Sequence, residues 1–289
     1  MHITMAGKLG SGKSTIAKLL NERHGFEIYS TGKIQRELAK SFGVSTLEMN
    51  QMMSKDAKYD HMIDDEVTRI SIDREADKLL FDSRMAWHFA KNSFKVFFTI
   101  DPQIAAQRVM KDPRGEEETY KDVDDCREKL ILRSLVENER FKEIYGTDNL
   151  NYANYDLVID TSHETPDNIC NLIFEEYEKF CENPVGYGRK MYFSPKSLYP
   201  TKSADDVRAR RSAGDQIIEV VCYRNYNFIV KGHLKALTAI CNGESYVSTT
   251  LNVASDKDEL ERKFGGVSIE SMKAFEEIGG FKYPSYPQI

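Results

Sequence analysis

The stretch "HITMAGKLGSGKSTIAKLLNER", His2 to Arg23, decides the fold. It opens as an apolar strand, passes through glycines at 7, 10 and 12, and closes as a helix with Ile16, Leu19 and Leu20 on one side. Gly7 to Ser14 spells G-x-x-x-x-G-K-S in the strand-to-helix context that this motif requires. Gly7, Gly10 and Gly12 let backbone N–H groups turn inward around phosphate oxygens. The helix N-terminus adds a positive dipole. Lys13 then reaches terminal phosphates and the Ser14 hydroxyl ligates Mg²⁺, with Ser11 and Thr15 completing the cradle.

Outward from this loop, apolar strand-like runs recur at "FEIYS", "LLFDS", "KVFFTI" and "YDLVID", separated by charged stretches of helical period. Alternating strand and helix signals predict an α/β fold with a parallel sheet covered on both faces. "TPDNICNLIFEEYEKF" reads as the last helix of the series, with Thr165 as N-cap and Pro166 in the first turn. "CENPVGYGRK", with Pro184, Gly186 and Gly188, then reads as a linker. The expected division is residues 1–182 and 189–289. The second part is smaller and mixed α/β, with strands at "QIIEVVCY", "YNFIV" and "YVSTTLNV" and a helix at "HLKALTAICN".

Composition sets bounds on partners. The 289 residues carry 40 Lys and Arg against 46 Asp and Glu, a formal charge of −6, which argues against broad nucleic-acid binding. Five scattered cysteines, without a C-x-x-C pair, read as reduced thiols. The N-terminus runs straight into a strand pattern, so no signal peptide is expected, and no window reaches the roughly 18 apolar residues of a membrane span. The expected setting is cytoplasmic.

A phosphate loop serves many enzymes, and no N-K-x-D guanine-reading motif follows this one. Enzymes that transfer a phosphoryl group between two anionic substrates need arginines, clustered at the carboxyl ends of the strands. Arg36 follows the second strand, and Asp82, Ser83 and Arg84 follow the third. Asp82 reads either as a Walker-B acid for Mg²⁺ or as a helix N-cap. The charged stretch from Asp101 to Gly146 carries Arg108, then Arg133 and Arg140 two turns apart on one helix face. It reads as a lid closing over phosphates, or as a solvated helical hairpin with pairs such as Arg133–Glu137.

Together "GKLGSGKST", "YSTGKIQRELAK", "YDHMID", "FDSRMAW" and "ERFKEIYG" followed by "YDLVIDTS" resemble a nucleoside-monophosphate kinase over residues 1–180, and most of all the archaeal-type cytidylate kinases. The resemblance implies a five-stranded parallel core and transfer of the ATP γ-phosphoryl group to CMP or dCMP, with ATP and Mg²⁺ as cofactors. It implies that Thr31 and Gly32 shape the acceptor loop and that Arg36 and Arg84 hold the acceptor phosphate. It also implies that Arg108, Arg133 and Arg140 stabilise the transferred group, and that Asp60 and Asp64 border the base. Lys33 departs from the pattern, because the family carries an acid there. A retuned enzyme, a changed acceptor, and a nucleotide-binding regulatory protein with weak turnover are the competing consequences.

The plan "NYNFIVKGHLKALTAICNGESYVSTTLNV" resembles the ParB/sulfiredoxin-like fold, with Gly232, His233 and Lys235 at its G-[EH]-x-R motif. The resemblance implies a nucleotide or phosphorylated ligand. A structural accessory role with His233 on an ordinary turn fits the same residues. "VRARRS", Val207 to Ser212, is the densest basic cluster and reads as a phosphate patch or a solvated loop.

Overall fold

The computed structural model describes residues 1–44, 48–49, 52, 58–111, 120–203, 205–206, 217–253, 258–259, 261 and 268–287; the side chains of residues 35, 58–60 and 251–253 lie outside that description. The basic cluster at 207–212 falls outside it as well.

The chain runs β1 (His2–Gly7), α1 (Lys13–His24), β2 (Glu27–Ser30), α2 (Thr31–Phe42), α3 (Lys58–Asp73), β3 (Leu79–Asp82) and the single turn α4 (Ala86–Phe89). It continues through β4 (Ser93–Thr99), α5 (Pro102–Lys111), the long α6 (Val123–Tyr145), β5 (Leu157–Asp160) and α7 (Pro166–Glu182). Then follow β6 (Lys190–Phe193), β7 (Leu198–Pro200), β8 (Ile218–Tyr223), β9 (Tyr226–Lys231), α8 (His233–Cys241), β10 (Val247–Val253) and α9 (Ile269–Gly279). Thr165 caps α7 as expected: its side chain accepts from the Asn168 N–H, and Pro166 occupies the first turn, where no N–H is needed. Asp122 caps α6 in the same way.

The strands form one sheet in the order β2-β3-β1-β4-β5-β6-β10-β8-β9-β7. The first five are parallel and lie where the apolar runs place them. The sheet does not stop there. β6 pairs parallel with β5, Leu157 opposite Lys190, and antiparallel with β10, Val247 opposite Phe193. Residues 183–189, expected to be a linker, are therefore the loop of a further β5–α7–β6 crossover. The edge of β5 would otherwise present unpaired N–H and C=O groups, and β6 satisfies them.

Successive residues of a strand face opposite sides, and β1 divides the core accordingly. Ile3 and Met5 pack against Ile16 and Leu20 of α1 and Ile169 and Ile173 of α7. Ala6, with Phe97 and Val158 of the neighbouring strands, packs on the other face against Trp87, Tyr152 and Tyr155. That second cluster runs on into Phe193, Ile218, Val220, Ile229 and Ala236, so the two halves of the chain share apolar core. A third cluster joins Ile131 of α6 to Tyr199, Val221, Phe228 and Phe275. Among the described residues, no helix is long and apolar enough to cross a membrane.

Candidate active site

The phosphate loop sits at the carboxyl end of β1, between β3 and β4. Its glycines are fixed by close approach and by backbone sign. A Cβ on Gly7 would stand 2.4 Å from the Phe98 carbonyl oxygen of β4, and one on Gly10, at φ +76°, would stand 2.8 Å from the Ala105 carbonyl oxygen of α5. Gly12, at φ +82°, caps α1 and faces open space. The loop is drawn together from within. Ser11 Oγ donates to the Lys8 carbonyl at 2.7 Å, and Lys13 Nζ donates to the Gly7 carbonyl at 3.1 Å. Ser14 and Thr15 lie in the first turn of α1, where the Thr15 N–H donates to the Gly12 carbonyl at 3.0 Å.

Asp82 ends β3 between two neighbours, opposite Ser30 of β2 on one side and Met5 of β1 on the other. With Ser14 it offers a hydroxyl and a carboxylate oxygen, hard donors of the kind Mg²⁺ takes; this ion keeps several waters and needs few protein ligands. The residues present fit it.

On the acceptor side, the Ser30 side chain caps α2 by accepting from the Lys33 N–H at 3.2 Å. Thr31 and Gly32 form the first turn, and the Arg36 guanidinium folds back to 3.4 Å from the Cβ position of Gly32. Lys33 does not turn toward this end. Its ammonium reaches Glu27 Oε1 at 3.0 Å and lies 3.7 Å from the centre of the Tyr29 ring. Glu27 and Ser30 stand at opposite ends of β2, roughly 10 Å apart at the usual rise of a strand. The charge that departs from the family pattern is thus spent on a carboxylate away from the phosphate loop. Arg74 also binds Glu27, at 2.8 Å, and with Lys33 holds its carboxyl below the usual range.

Arg84 and Arg133 converge. Arg84, just past β3, is ion-paired with Glu137 of α6, and Arg133 Nε stands 3.7 Å from the same carboxylate. Burial and the neighbouring Arg133 charge pull the Arg84 pKa down to about 10, so it stays protonated at neutral pH. The pair Arg133–Glu137 read from the sequence as a surface feature is present, but it is part of a three-group cluster against Arg84. Arg84 and Glu137 border a cavity of about 20 Å³ together with Gly7, Lys8 and Leu9 of the phosphate loop. That volume holds about one water. Arg140 lies two turns beyond Arg133, on an exposed part of α6.

Arg108 is elsewhere. Its guanidinium donates to the carbonyls of Thr161 at 2.8 Å and Ser162 at 3.2 Å, beyond β5. β3 and β5 are three strands apart, roughly 14 Å, and Arg108 bonds the segment beyond β5, whereas Arg84 and Arg133 meet at Glu137. Burial lowers its pKa, against the opposing Asp160 charge. Asp64 is buried and accepts from the Tyr145 hydroxyl at 2.6 Å, which ties α3 to the end of α6. The side chain of Asp60 lies outside the described residues.

In the C-terminal part, Gly232 caps α8 at φ +82°, and its Cβ position lies 3.0 Å from Ile218 Cα, against backbone of this chain. His233 is buried, and its Nε2 accepts from the Thr201 N–H at 3.2 Å. It is a packed core residue that ties α8 to the end of β7. Lys235 is half-buried on the same helix. Sequence reading passed over Glu137 as a ligand of Arg84, and Tyr145 as a partner of Asp64, because each contact joins segments far apart in the chain.

Residues 2–163 match the cytidylate kinase-like family. The cytidylate kinase of Methanocaldococcus jannaschii is 34% identical over 179 residues, which cover 60% of this chain and 95% of that enzyme. The cytidylate kinase of Methanothermobacter thermautotrophicus is 30% identical over 162 residues, 56% of this chain and 96% of that one. An S-adenosylmethionine-dependent nucleotide dehydratase of Lacinutrix mariniflava is 32% identical over 178 residues, 61% of this chain but only 36% of that longer protein. Among solved structures, shikimate kinase from Bacteroides thetaiotaomicron aligns with a TM-score of 0.44 at 13% identity, over 62% of this chain and 98% of that one.

Proposed function

The chain belongs to the cytidylate kinase-like family, and from that premise we propose that it transfers the γ-phosphoryl group of ATP to a nucleoside monophosphate, with CMP or dCMP as the acceptor. The observation that carries this reading is the convergence of Arg84 and Arg133 on one carboxylate at the rim of the phosphate loop. Two guanidiniums around one anion, beside a triphosphate cradle, are what transfer between two phosphates requires. Glu137 takes the position that the acceptor phosphate would fill. The cavity there holds about one water, so in this reading the acceptor phosphate displaces the Glu137 carboxylate from Arg84.

In this reading Lys13 and the backbone N–H groups of the loop hold the donor phosphates, while Arg36, Arg84 and Arg133 hold and neutralise the acceptor. Arg140 and Arg108 join them only after α6 and the segment beyond β4 have moved. Ser14 and Asp82 would hold Mg²⁺, which when bound neutralises charge on the phosphate oxygens. The acceptor phosphate is itself the nucleophile, so no strong protein base is needed. Residues 189–289 would form a ParB/sulfiredoxin-like unit joined to the kinase unit 1–182, in a cytoplasmic protein. The strand, Gly-His, helix, strand plan of β9, α8 and β10 supports that reading.

A second reading, nucleotide binding with little turnover, is favoured by the hydrogen bonds from the C-terminal part to the loops around the donor site. One assay separates the two: coupled ADP release with ATP and Mg²⁺ against CMP, dCMP, UMP and AMP. Acceptor-dependent turnover, fastest with a cytidine nucleotide, is expected. ADP release independent of all four acceptors would remove the kinase reading.

A further inference from the structure

Three loops at the carboxyl ends of β1, β4 and β5 frame the donor side, and each is bonded to the C-terminal part of the chain. After β1, Lys8 Nζ donates to the Asn225 carbonyl at 3.1 Å. After β4, the Tyr199 hydroxyl donates to Asp101 Oδ2 at 2.7 Å. At the end of β5, Asp160 accepts from the Ser194 N–H at 3.2 Å through its side chain and from the Tyr246 hydroxyl at 3.1 Å through its carbonyl. The tip that carries Asn225 also reaches α6, where Arg224 stands 3.4 Å from Glu128.

Lys8 is the group in this set that needs explanation. The residue is only 7% exposed although it belongs to a loop that opens to solvent. Burying an ammonium costs several kcal/mol unless it is paired and hydrogen-bonded. Here the Asn225 carbonyl and the nearby Asp160 and Asp101 carboxylates compensate in part; burial nonetheless pulls the Lys8 pKa down. The backbone of Lys8 shapes the loop itself. Its N–H donates to the Phe98 carbonyl at 2.9 Å, and its carbonyl accepts from Ser11 Oγ and stands 3.5 Å from Lys13 Nζ. A residue held at its tip by one half of the chain thus carries, on its backbone, the contacts that set the other half's phosphate cradle.

We propose that Lys8 is a positioning residue through which the β8–β9 hairpin holds the phosphate loop in its anion-binding shape, so that donor affinity depends on the C-terminal part of the chain. This rests on the reading of the loop as an ATP site, but not on any particular acceptor. The hairpin tip offers its own control. Arg224 and Asn225 have φ of 46° and 68°, the left-handed pair of a two-residue turn in which Asn and Gly are at ease and a β-branched residue is not. The Asn225 contribution is its backbone carbonyl, so Asn225→Gly keeps the contact and Asn225→Val displaces it.

The test measures ATP affinity by calorimetry, and acceptor KM by the coupled assay, on the full chain. Loss of a charge-assisted hydrogen bond predicts ATP binding weaker by about tenfold in Lys8→Met and in Asn225→Val. Asn225→Gly should match the wild type, and acceptor KM should stay put in both Asn225 variants. ATP affinity within about twofold of wild type in both Lys8→Met and Asn225→Val, or equal losses in Asn225→Gly and Asn225→Val, overturns the proposal. If Lys8→Met does not fold, the two Asn225 variants decide alone. A wild-type chain that binds ATP without turning over any acceptor defeats the transfer reading and leaves this inference to be judged on ATP affinity; one that binds no ATP defeats both.

Discussion

Replacing Lys33 by methionine tests where the unusual charge acts. The ammonium is held by Glu27 at 3.0 Å and by the face of Tyr29 at 3.7 Å, with the Lys33 side chain 33% exposed. A partly exposed ion pair contributes about 0.2–1 kcal/mol, and a cation–π contact in such a place about 0.5–1 kcal/mol. Glu27 keeps Arg74 at 2.8 Å after the change, so no carboxylate is stranded, and the cap from the Lys33 N–H to Ser30 is a backbone bond that survives. The expected loss is therefore about 1 kcal/mol, a fall in Tm of roughly 2–4 °C. The effect on chemistry follows from distance. A unit charge roughly 10 Å from a phosphate contributes from about 0.4 kcal/mol in water to about 1.7 kcal/mol near a protein surface, and the pairing with Glu27 cancels most of it, leaving a factor of about two in rate. Thermal melting and the coupled kinase assay on the same sample measure both quantities. A change in kcat of tenfold or more would mean that Lys33 works inside the active site, and the argument from its side-chain direction would be refuted.

Lys13→Met removes the ammonium aimed across the loop mouth and should lower turnover by about 10²–10³-fold with Tm little changed; retention of a tenth of the activity would contradict that role. Gly12→Ala and Gly10→Ala separate binding from stability. Both demand a left-handed alanine, at about 1–2 kcal/mol, but only at Gly10 does the methyl meet backbone, so Gly10→Ala should melt well below Gly12→Ala. Stability should also fall on the acid side. His2 is fully buried with Nε2 on the Ser71 carbonyl, and burial lowers its pKa from 6.5. The unfolded chain then takes up a proton that the folded chain refuses. The stability from this group is complete above pH 6.5 and is lost as pH falls through 6.5 toward the lower folded value, by at most about 1.4 kcal/mol per pH unit. Tm between pH 7.5 and 5 should drop, and less so in His2→Gln; identical profiles would exclude His2 as the cause.

Sequence alone determined what is encoded within a few neighbouring residues. The glycines of the phosphate loop, the five parallel strands, the Thr165–Pro166 start of α7 and the strands and helix of the C-terminal part each have a local physical cause: a required backbone sign, a two- or 3.6-residue period, or a cap. Tertiary structure decided what depends on which distant segments meet. The turn residues around Pro184 and Gly186 give no sign that the chain returns to pair β6 with β5, because strand pairing is made by backbone groups that every residue carries. Lys33 reads as a charge beside a phosphate site until β2 and Tyr29 turn it to Glu27. Nothing in the local sequence ties Lys8 to Asn225, 217 residues away. A single hydrogen bond across that separation leaves no periodicity or composition behind; only packing the C-terminal hairpin onto the phosphate loop makes it visible.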